Sequence, residues 1–454
     1  MLYDFLHPLQ SKHSTFNMTV QFNPLSSMDF LPKKQLREIQ SQRLCQIVKR
    51  AFKHVELFEN RLKERNLTPD DIQSIDDLHK LPFMIKADLR LTYPFGLFAS
   101  PMSEIVRLHA SSGTTGKPIV VAYTKEDLDV WSETVSRAFL AYGMDKGDIV
   151  QNCYGYGLFT GGMGAHQGAE RLGATVIPVS TGNTARQIML MKDFGTTAIS
   201  CTPSFFLHLL DVAAEMDIDV RKLSLRVGAF GAEPWSEAMR RKIEELAGIR
   251  AFDIYGLSEI VGPGVGAECT CQNGLHIFED HYYPEIIDPE SGEVLPDGEE
   301  GELVLTTLSK QAMPVIRYRT RDITKLISEP CECGRTIRRI ARISRRSDDM
   351  LIIRGVNVFP SQIETAILSV EGTLPYYEII VTRDDNLDRL EVRVEFDMSA
   401  LSSDSVRALE DLRQRVSQAV ERIINIRAKI TLVEARTLER SEGKAKRVRD
   451  LRNI

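Results

Sequence analysis

An excess of positive charge is missing from this chain. Its 454 residues hold 57 Lys and Arg against 63 Asp and Glu, a formal charge of −6. No basic excess exists to neutralise a phosphate backbone, so nucleic acid is not expected as a partner. Long apolar runs are also missing, and no segment reads as a bilayer span. The opening stretch is broken by Asp4, His7 and Pro8 and lacks the pattern of a secretory signal. These features lead to the expectation of a cytoplasmic protein without a membrane partner. Cysteines number only 7, which suits a reducing compartment. With 29 Gly and 19 Pro the composition is ordinary, which excludes a collagen-like rod or a wholly disordered chain. The length exceeds what one hydrophobic core usually supports, so at least two domains are expected.

Apolar periodicity predicts a helix over residues 35–64 and a loop over 68–100, with prolines at 69, 82 and 94. Strands are predicted at 106–110 and 119–124 around a Ser/Thr/Gly loop. Thr124 and Asp127 have capping-box spacing for a helix to about residue 141. Short apolar runs ending in Gly or Pro then alternate with helical stretches, the pattern of an α/β domain with a largely parallel sheet. In such sheets ligands bind at the carboxyl ends of the strands, where these glycines lie. From 280 to 327 the pattern turns to β segments and turns. From 349 a unit of about a hundred residues reads as α+β: a strand, a helix opened by Ser361 and Glu364, two strands around a polar turn, a helix near 404–425 and a last strand, ITLVE. A basic tail closes the chain.

Three local features could carry chemistry. Ser111-Ser112-Gly113-Thr114-Thr115-Gly116-Lys117-Pro118 combines small residues, hydroxyls and a lysine, which suits a phosphate cradle; a flexible hairpin loop is the alternative. It is not a Walker A loop, because Pro118 follows the lysine. Cys269-x-Cys271, His276 and Cys331-x-Cys333 offer five donors for a four-coordinate zinc site, with free thiols as the alternative. Lys444, in Gly-Lys-Ala-Lys-Arg, reads from composition alone as part of a solvated basic tail.

The sequence HASSGTTGKP resembles the phosphate loop of the adenylate-forming superfamily of acyl-CoA synthetases, peptide-synthetase adenylation domains and luciferases. Gly231-Ala232-Glu233-Pro234, Asp253-Ile254-Tyr255-Gly256-Leu257-Ser258-Glu259, Tyr318-Arg319-Thr320-Arg321-Asp322, Arg346-Ser347-Asp348-Asp349 and Ser441-Glu442-Gly443-Lys444 follow in the superfamily's order. The phrases YGYGLFTGG, GAEPW, DIYGLSE, RYRTRD and SDDMLIIRGVNVFPSQIE narrow the resemblance to the phenylacetate–coenzyme A ligase family, over about residues 35–450.

This resemblance implies a large N-terminal α/β domain with mixed sheets, residues 1–347, and a small mobile C-terminal α+β domain, residues 348–454. It implies ATP-dependent ligation of an arylacetic acid, phenylacetate first, to coenzyme A through an acyl-adenylate. Ser111–Lys117 would hold the triphosphate, Gly231–Pro234 the adenine side, Tyr255 and Asp253 the adenine, with Ile254, Gly256 and Ser258 in the same segment. Asp322 and Arg346 would lie at the ribose; a salt-bridged pair in a charged segment is the alternative, and the one preferred without the resemblance. Glu259 would hold Mg2+, a hard cation suited to carboxylate. Lys444, immediately after a glycine, is selected over Lys446 as the ammonium that offsets charge on the α-phosphate. Tyr154, Phe159, Gly231, Ala232, Ile254 and Pro263 match an aryl pocket; ordinary core packing is the alternative. His166 is balanced between a substrate neighbour and a structural histidine. The resemblance favours Cys269, His276, Cys331 and Cys333 as zinc ligands, with Cys271 spare. Asp348 is the expected hinge, Arg345 replaces the usual glycine before the hinge arginine, and a homodimer is expected. Other readings keep adenylation with indoleacetate or hydroxyphenylacetate, adenylylate a cofactor, or make the chain a non-catalytic nucleotide sensor.

Overall fold

The computed structural model describes residues 23–110, 118–343, 345–347, 349–354, 356–384, 387–398, 405–441 and 445–452. Ser111–Lys117, Asp348 and Glu442–Lys444 therefore lie outside the described residues. Ten α-helices are described: α1 Lys33–His54, α2 Glu56–Glu64, α3 Lys86–Leu91, α4 Lys125–Ala141, α5 Gly161–Leu172, α6 Thr184–Asp193, α7 Pro203–Glu215, α8 Glu237–Ala247, α9 Pro360–Leu368 and α10 Ser405–Ile424. The first twelve strands are β1 Arg107–Ala110, β2 Val120–Tyr123, β3 Ile149–Asn152, β4 Thr175–Ile177, β5 Ala198–Cys201, β6 Val227–Gly231, β7 Arg250–Leu257, β8 Gly262–Ala267, β9 Leu275–Ile277, β10 Tyr282–Ile287, β11 Gly301–Thr307 and β12 Tyr318–Thr324. Nine more follow: β13 Leu326–Ile327, β14 Arg339–Ile340, β15 Arg345–Arg346, β16 Leu351–Ile353, β17 Val356–Val358, β18 Thr373–Asp384, β19 Leu387–Phe396, β20 Lys429–Glu434 and β21 Val448–Asp450.

The main sheet runs β13-β14-β9-β8-β7-β6-β5-β3-β4. Its β7-β6-β5-β3-β4 half is parallel, as strand–helix alternation predicts, and β8, β9, β14 and β13 extend it antiparallel. The switch has a local cause. Only four residues join β7 to β8, too few for a crossover helix, so the chain must fold back as a hairpin. Gly256 allows this turn: a Cβ there would lie 1.8 Å from the Gly262 carbonyl oxygen. A second antiparallel sheet, β10-β11-β12-β15, carries the RYRTRD segment. From residue 351 on, β18 to β21 form a separate four-stranded sheet under α9 and α10. Its own core includes Ile353, Ile363, Ile379, Val392, Leu412 and Val420.

Most predicted elements recur within a residue or two. The helix over 35–64 is instead two, because Val55 takes an extended backbone (φ −118°, ψ 101°). The segment 68–100 contains short 3-10 turns and α3. The Thr124 box forms with both bonds: the Asp127 amide donates to Thr124 Oγ1 at 3.1 Å, and the Thr124 amide to the Asp127 carboxylate at 2.9 Å. The box expected from Ser361 and Glu364 does not form. α9 starts at Pro360, and Gln362 accepts the Phe359 amide, which frees Glu364 for other partners. The basic tail contains β21, which pairs in parallel with β18. A buried ion network binds residues 24–30 to the body. Arg137, fully buried on α4, is shared between Asp29 and Asp280 at 2.6 and 2.9 Å, and Arg335 closes on Asp29 at 3.1 Å.

Candidate active site

The carboxyl end of β7 gathers the candidate residues. Its parallel register sets Ile254 beside Gly231 at the end of β6. A Cβ on Gly231 would meet the Ile254 carbonyl at 2.4 Å, so the backbones approach as only glycine permits. Ala232 follows with φ +68°, a left-handed turn for a residue with a Cβ. The chain thus turns sharply through Gly231-Ala232 and directs Glu233 outward from the strand end.

Tyr255 and Asp322 meet across the two sheets. The Tyr255 hydroxyl donates to one Asp322 oxygen at 2.6 Å, and Arg346 donates to the other at 2.8 Å. The β12–β15 register places Asp322 opposite Arg346. Burial and the Asp322 carboxylate together hold the Tyr255 phenol well above its ordinary range. Asp253 pairs with Arg342 at 3.4 Å. Arg342 also bonds Glu237 and the Trp235 carbonyl, and lies 4.4 Å over the Trp235 ring.

Glu259 is buried beyond β7, with the Lys86 ammonium of α3 at 4.0 Å. Ser258 shares a hydrogen bond with Thr160 at 3.1 Å, tying the motif to α5. The main chain here is held by a buried lysine absent from the sequence reading. Lys310 Nζ donates to the Ile260 carbonyl at 2.6 Å and to the Glu259 carbonyl at 3.1 Å, 5.1 Å over the Tyr123 ring. Burial pulls its pKa down to about 8. The next two amides, Gln311 and Ala312, donate to Asp127 at 2.6 and 2.9 Å, so one short loop connects the start of α4 to the Glu259 motif.

Of the expected aryl-pocket residues, Tyr154, Gly231 and Ile254 are buried, Pro263 is half-buried and Phe159 is exposed. Tyr154 and Phe159 both flank Gly161: its Cβ would stand 3.4 Å from the Tyr154 ring and 2.9 Å from that of Phe159. The Tyr154 hydroxyl donates to the Cys201 carbonyl at 2.7 Å, fixing the ring. Gly256 faces Pro263 in the β7–β8 register. Both His166 nitrogens are engaged, by the Tyr156 hydroxyl and by Glu170, each at 3.0 Å, the pattern of a satisfied structural histidine.

Four sulfur and nitrogen donors converge elsewhere. Cys269, His276, Cys331 and Cys333 are buried, with their ligand atoms all within 4.8 Å of one another; Cys271 stands outside the group. The Cys269–Cys331 sulfurs are 3.7 Å apart, and Cys333 Sγ is 3.4 Å from His276 Nε2. Tetrahedral Zn–S bonds of about 2.3 Å require sulfurs roughly 3.8 Å apart. His276 Nδ1 lies 3.2 Å from the Ile337 carbonyl, which suits an Nδ1–H donor and leaves Nε2 for a metal. The donor set and spacing fit zinc.

A two-domain α/β enzyme with a nucleotide-type site at the strand ends is the class these features define. Residues 60–311 match the AMP-binding enzyme family, and residues 355–452 match the AMP-binding enzyme C-terminal domain. The phenylacetate-coenzyme A ligase of Pseudomonas putida is 51% identical over 433 residues, 94% of this chain and 97% of its own. That of Escherichia coli K12 is 49% identical over 425 residues, 92% and 96% of the two chains. Among solved structures, 2-hydroxyisobutyryl-CoA ligase in its postadenylation state aligns with TM-score 0.88 at 29% identity, covering 99% of this chain and 95% of that one. The same ligase in its thioesterification state, covering 96% and 95%, aligns with TM-score 0.70. The chain belongs to the phenylacetate–coenzyme A ligase family of AMP-binding enzymes. It is an AMP-forming acid–CoA ligase, and no described helix is long and apolar enough to cross a membrane.

Proposed function

We propose that this enzyme ligates phenylacetate to coenzyme A in two steps at one site. The acid's carboxylate attacks the α-phosphate of ATP, giving acyl-adenylate and releasing pyrophosphate. The CoA thiol then attacks the acyl carbonyl and releases AMP. The observation that carries this reading is the approach of the small domain to the strand-end segment: the Ala445 amide, next in sequence to Lys444, donates to Glu233 at 3.1 Å. A lysine so delivered offsets the negative charge that builds on the α-phosphate.

The residue roles follow. Ser111–Lys117 take the triphosphate, and Gly231, Ala232 and Pro234 line the adenine side with Tyr255. Asp322, backed by Arg346, accepts the ribose hydroxyls. Glu259 holds Mg2+, which supplies charge neutralisation for the leaving pyrophosphate. Tyr154, Phe159, Gly231, Ala232, Ile254 and Pro263 wall the aryl ring, whose flat apolar faces need shape-matched contact. Asp348 is the hinge about which residues 348–454 turn between the two steps, as hinge-type domain movements do. Cys269, His276, Cys331 and Cys333 hold a structural Zn2+ that pins the segment after Glu259 to the segment before the hinge. The protein works as a homodimer in the cytoplasm.

ATP–pyrophosphate exchange with a panel of acids tests the reaction and the acid together. Phenylacetate should give the fastest exchange, and AMP release should require CoA; faster exchange with another acid would displace the substrate assignment. Lys444→Ala should abolish exchange yet keep thioester formation from supplied phenylacetyl-adenylate, while Asp348→Pro should do the reverse. Equal loss of both half-reactions in either variant would contradict these roles.

A further inference from the structure

Two carboxylates join the domains by a reciprocal exchange of hydrogen bonds. Glu233 belongs to the large domain. One of its oxygens accepts the Ser204 amide at 2.7 Å, at the start of α7, and the other accepts the Ala445 amide of the small domain at 3.1 Å. Glu364 is the counterpart on α9 of the small domain. One of its oxygens accepts the Ser236 amide of the large domain at 3.1 Å. The other accepts the Tyr377 hydroxyl at 2.9 Å and pairs with Arg447. Arg447 donates to the same hydroxyl at 2.8 Å and lies 4.7 Å over the Tyr377 ring. Residues 233–236 and 445–447 are thereby laced together from both sides.

We propose that Glu233 and Glu364 are positioning residues that seat the Lys444 loop for adenylation, so that Glu233 serves lysine delivery rather than nucleotide contact. The proposal rests on the adenylation reading above. The Ala445 nitrogen is bonded to the Lys444 carbonyl carbon, so a fixed Ala445 amide fixes the backbone end of the lysine within two bonds of its Cα. A carboxylate makes a stronger acceptor for that amide than a neutral group would.

The arrangement is also built to open. Two of these bonds cross between domains, Ala445 to Glu233 and Ser236 to Glu364, beside the Tyr376 hydroxyl's bond to Asp211 at 2.6 Å and the Arg436–Glu215 pair. When the domains part, Glu233 keeps the Ser204 amide at a helix N-terminus, which favours its negative charge. Glu364 keeps Tyr377 and Arg447. Neither carboxylate is stripped of partners, so the clasp releases without stranding a buried charge. A clasp of this kind favours one domain arrangement without locking it, which a two-step reaction on one site requires.

Single-turnover measurements on the full chain separate the possibilities. Glu233→Gln keeps the shape but turns an NH2 group toward one of the two amides, and Glu233→Ala removes both acceptors. Adenylation of phenylacetate with saturating ATP and Mg2+ is expected to fall at least tenfold in both. The KM for ATP should change less than twofold, as should thioester formation from supplied phenylacetyl-adenylate and CoA. Glu364→Gln should slow adenylation at least threefold with the same selectivity, and it tests the clasp independently should a Glu233 variant fail to fold. In a Lys444→Ala background, whose residual adenylation is read by single turnover below the reach of the exchange assay, Glu233→Gln should cost less than twofold more, because its effect passes through the lysine. A tenfold rise in the ATP KM with the saturated rate retained would return Glu233 to the nucleotide site and overturn the proposal. Equal loss of both half-reactions, or no loss in either, would also overturn it. Failure of the wild-type chain to adenylate phenylacetate, with adenylation of another acid, would sink the substrate assignment instead; the same variants measured with that acid then decide the clasp.

Discussion

Lys310 offers a test in which one buried group produces a pH-dependent stability of known sign. Its ammonium is buried beneath the Glu259 motif, and burial lowers its pKa from 10.5 to about 8, opposed by Asp127 and Glu259. The unfolded chain keeps the proton up to about pH 10.5, while the folded chain releases it near 8. Between these values the unfolded state binds more protons, so unfolding becomes harder as pH rises. A depression of about 2.5 pH units at 1.36 kcal/mol each amounts to roughly 3 kcal/mol, order of magnitude. This stability is fully present above pH 10.5 and is lost as pH falls through 8. The neutral amine still has two N–H groups for the Ile260 and Glu259 carbonyls, so the gain does not depend on breaking those bonds. Lys310→Met removes the titration and strands both carbonyls. Urea unfolding of the two proteins from pH 7 to 10.5 isolates the effect, since other titrating groups cancel in the difference. Tryptophan fluorescence reports the right region, because Trp131 stacks on Tyr123 at 5.1 Å. The wild type should gain roughly 3 kcal/mol on the variant across that range. A difference that stays flat with pH would refute the reasoning.

Elemental analysis of protein purified without added metal should find about one zinc per chain, and Cys331→Ser should lose it with a lower unfolding midpoint; fully folded metal-free protein would remove the centre. Arg137→Met should destabilise the large domain by about 3–5 kcal/mol, because Asp29 and Asp280 lose their shared buried cation. Urea unfolding monitored at Trp131 checks it, and a loss under about 1 kcal/mol would show that the network carries little stability.

Local order was readable wherever a short-range rule decides the outcome. The Thr124–Asp127 box, the β7 motif and the strand–helix alternation rest on neighbours in sequence. The failure at Glu364 has the opposite cause. Its spacing from Ser361 suggests a cap, but a buried ion pair with Arg447 and the Ser236 amide outcompetes that local bond. β21 escaped notice because its strand partner, β18, lies some seventy residues earlier and its own composition is basic rather than apolar.

Ordered motifs in the chain identify the reaction class by resemblance, because several short segments in a fixed order are far more specific than any one of them. Four of the five Cys and His candidates could be chosen by resemblance, yet only folding brings Cys269 and Cys331 to 3.7 Å and leaves Cys271 aside. Lys310 and Arg342 carry no signal in sequence at all, and Glu364 carries a misleading one, since each acts on backbone or charge supplied by a distant segment. Chemistry can be written in a few residues in a row. Support for that chemistry depends on which surfaces the folded chain presses together, and that is decided by the packing of the whole.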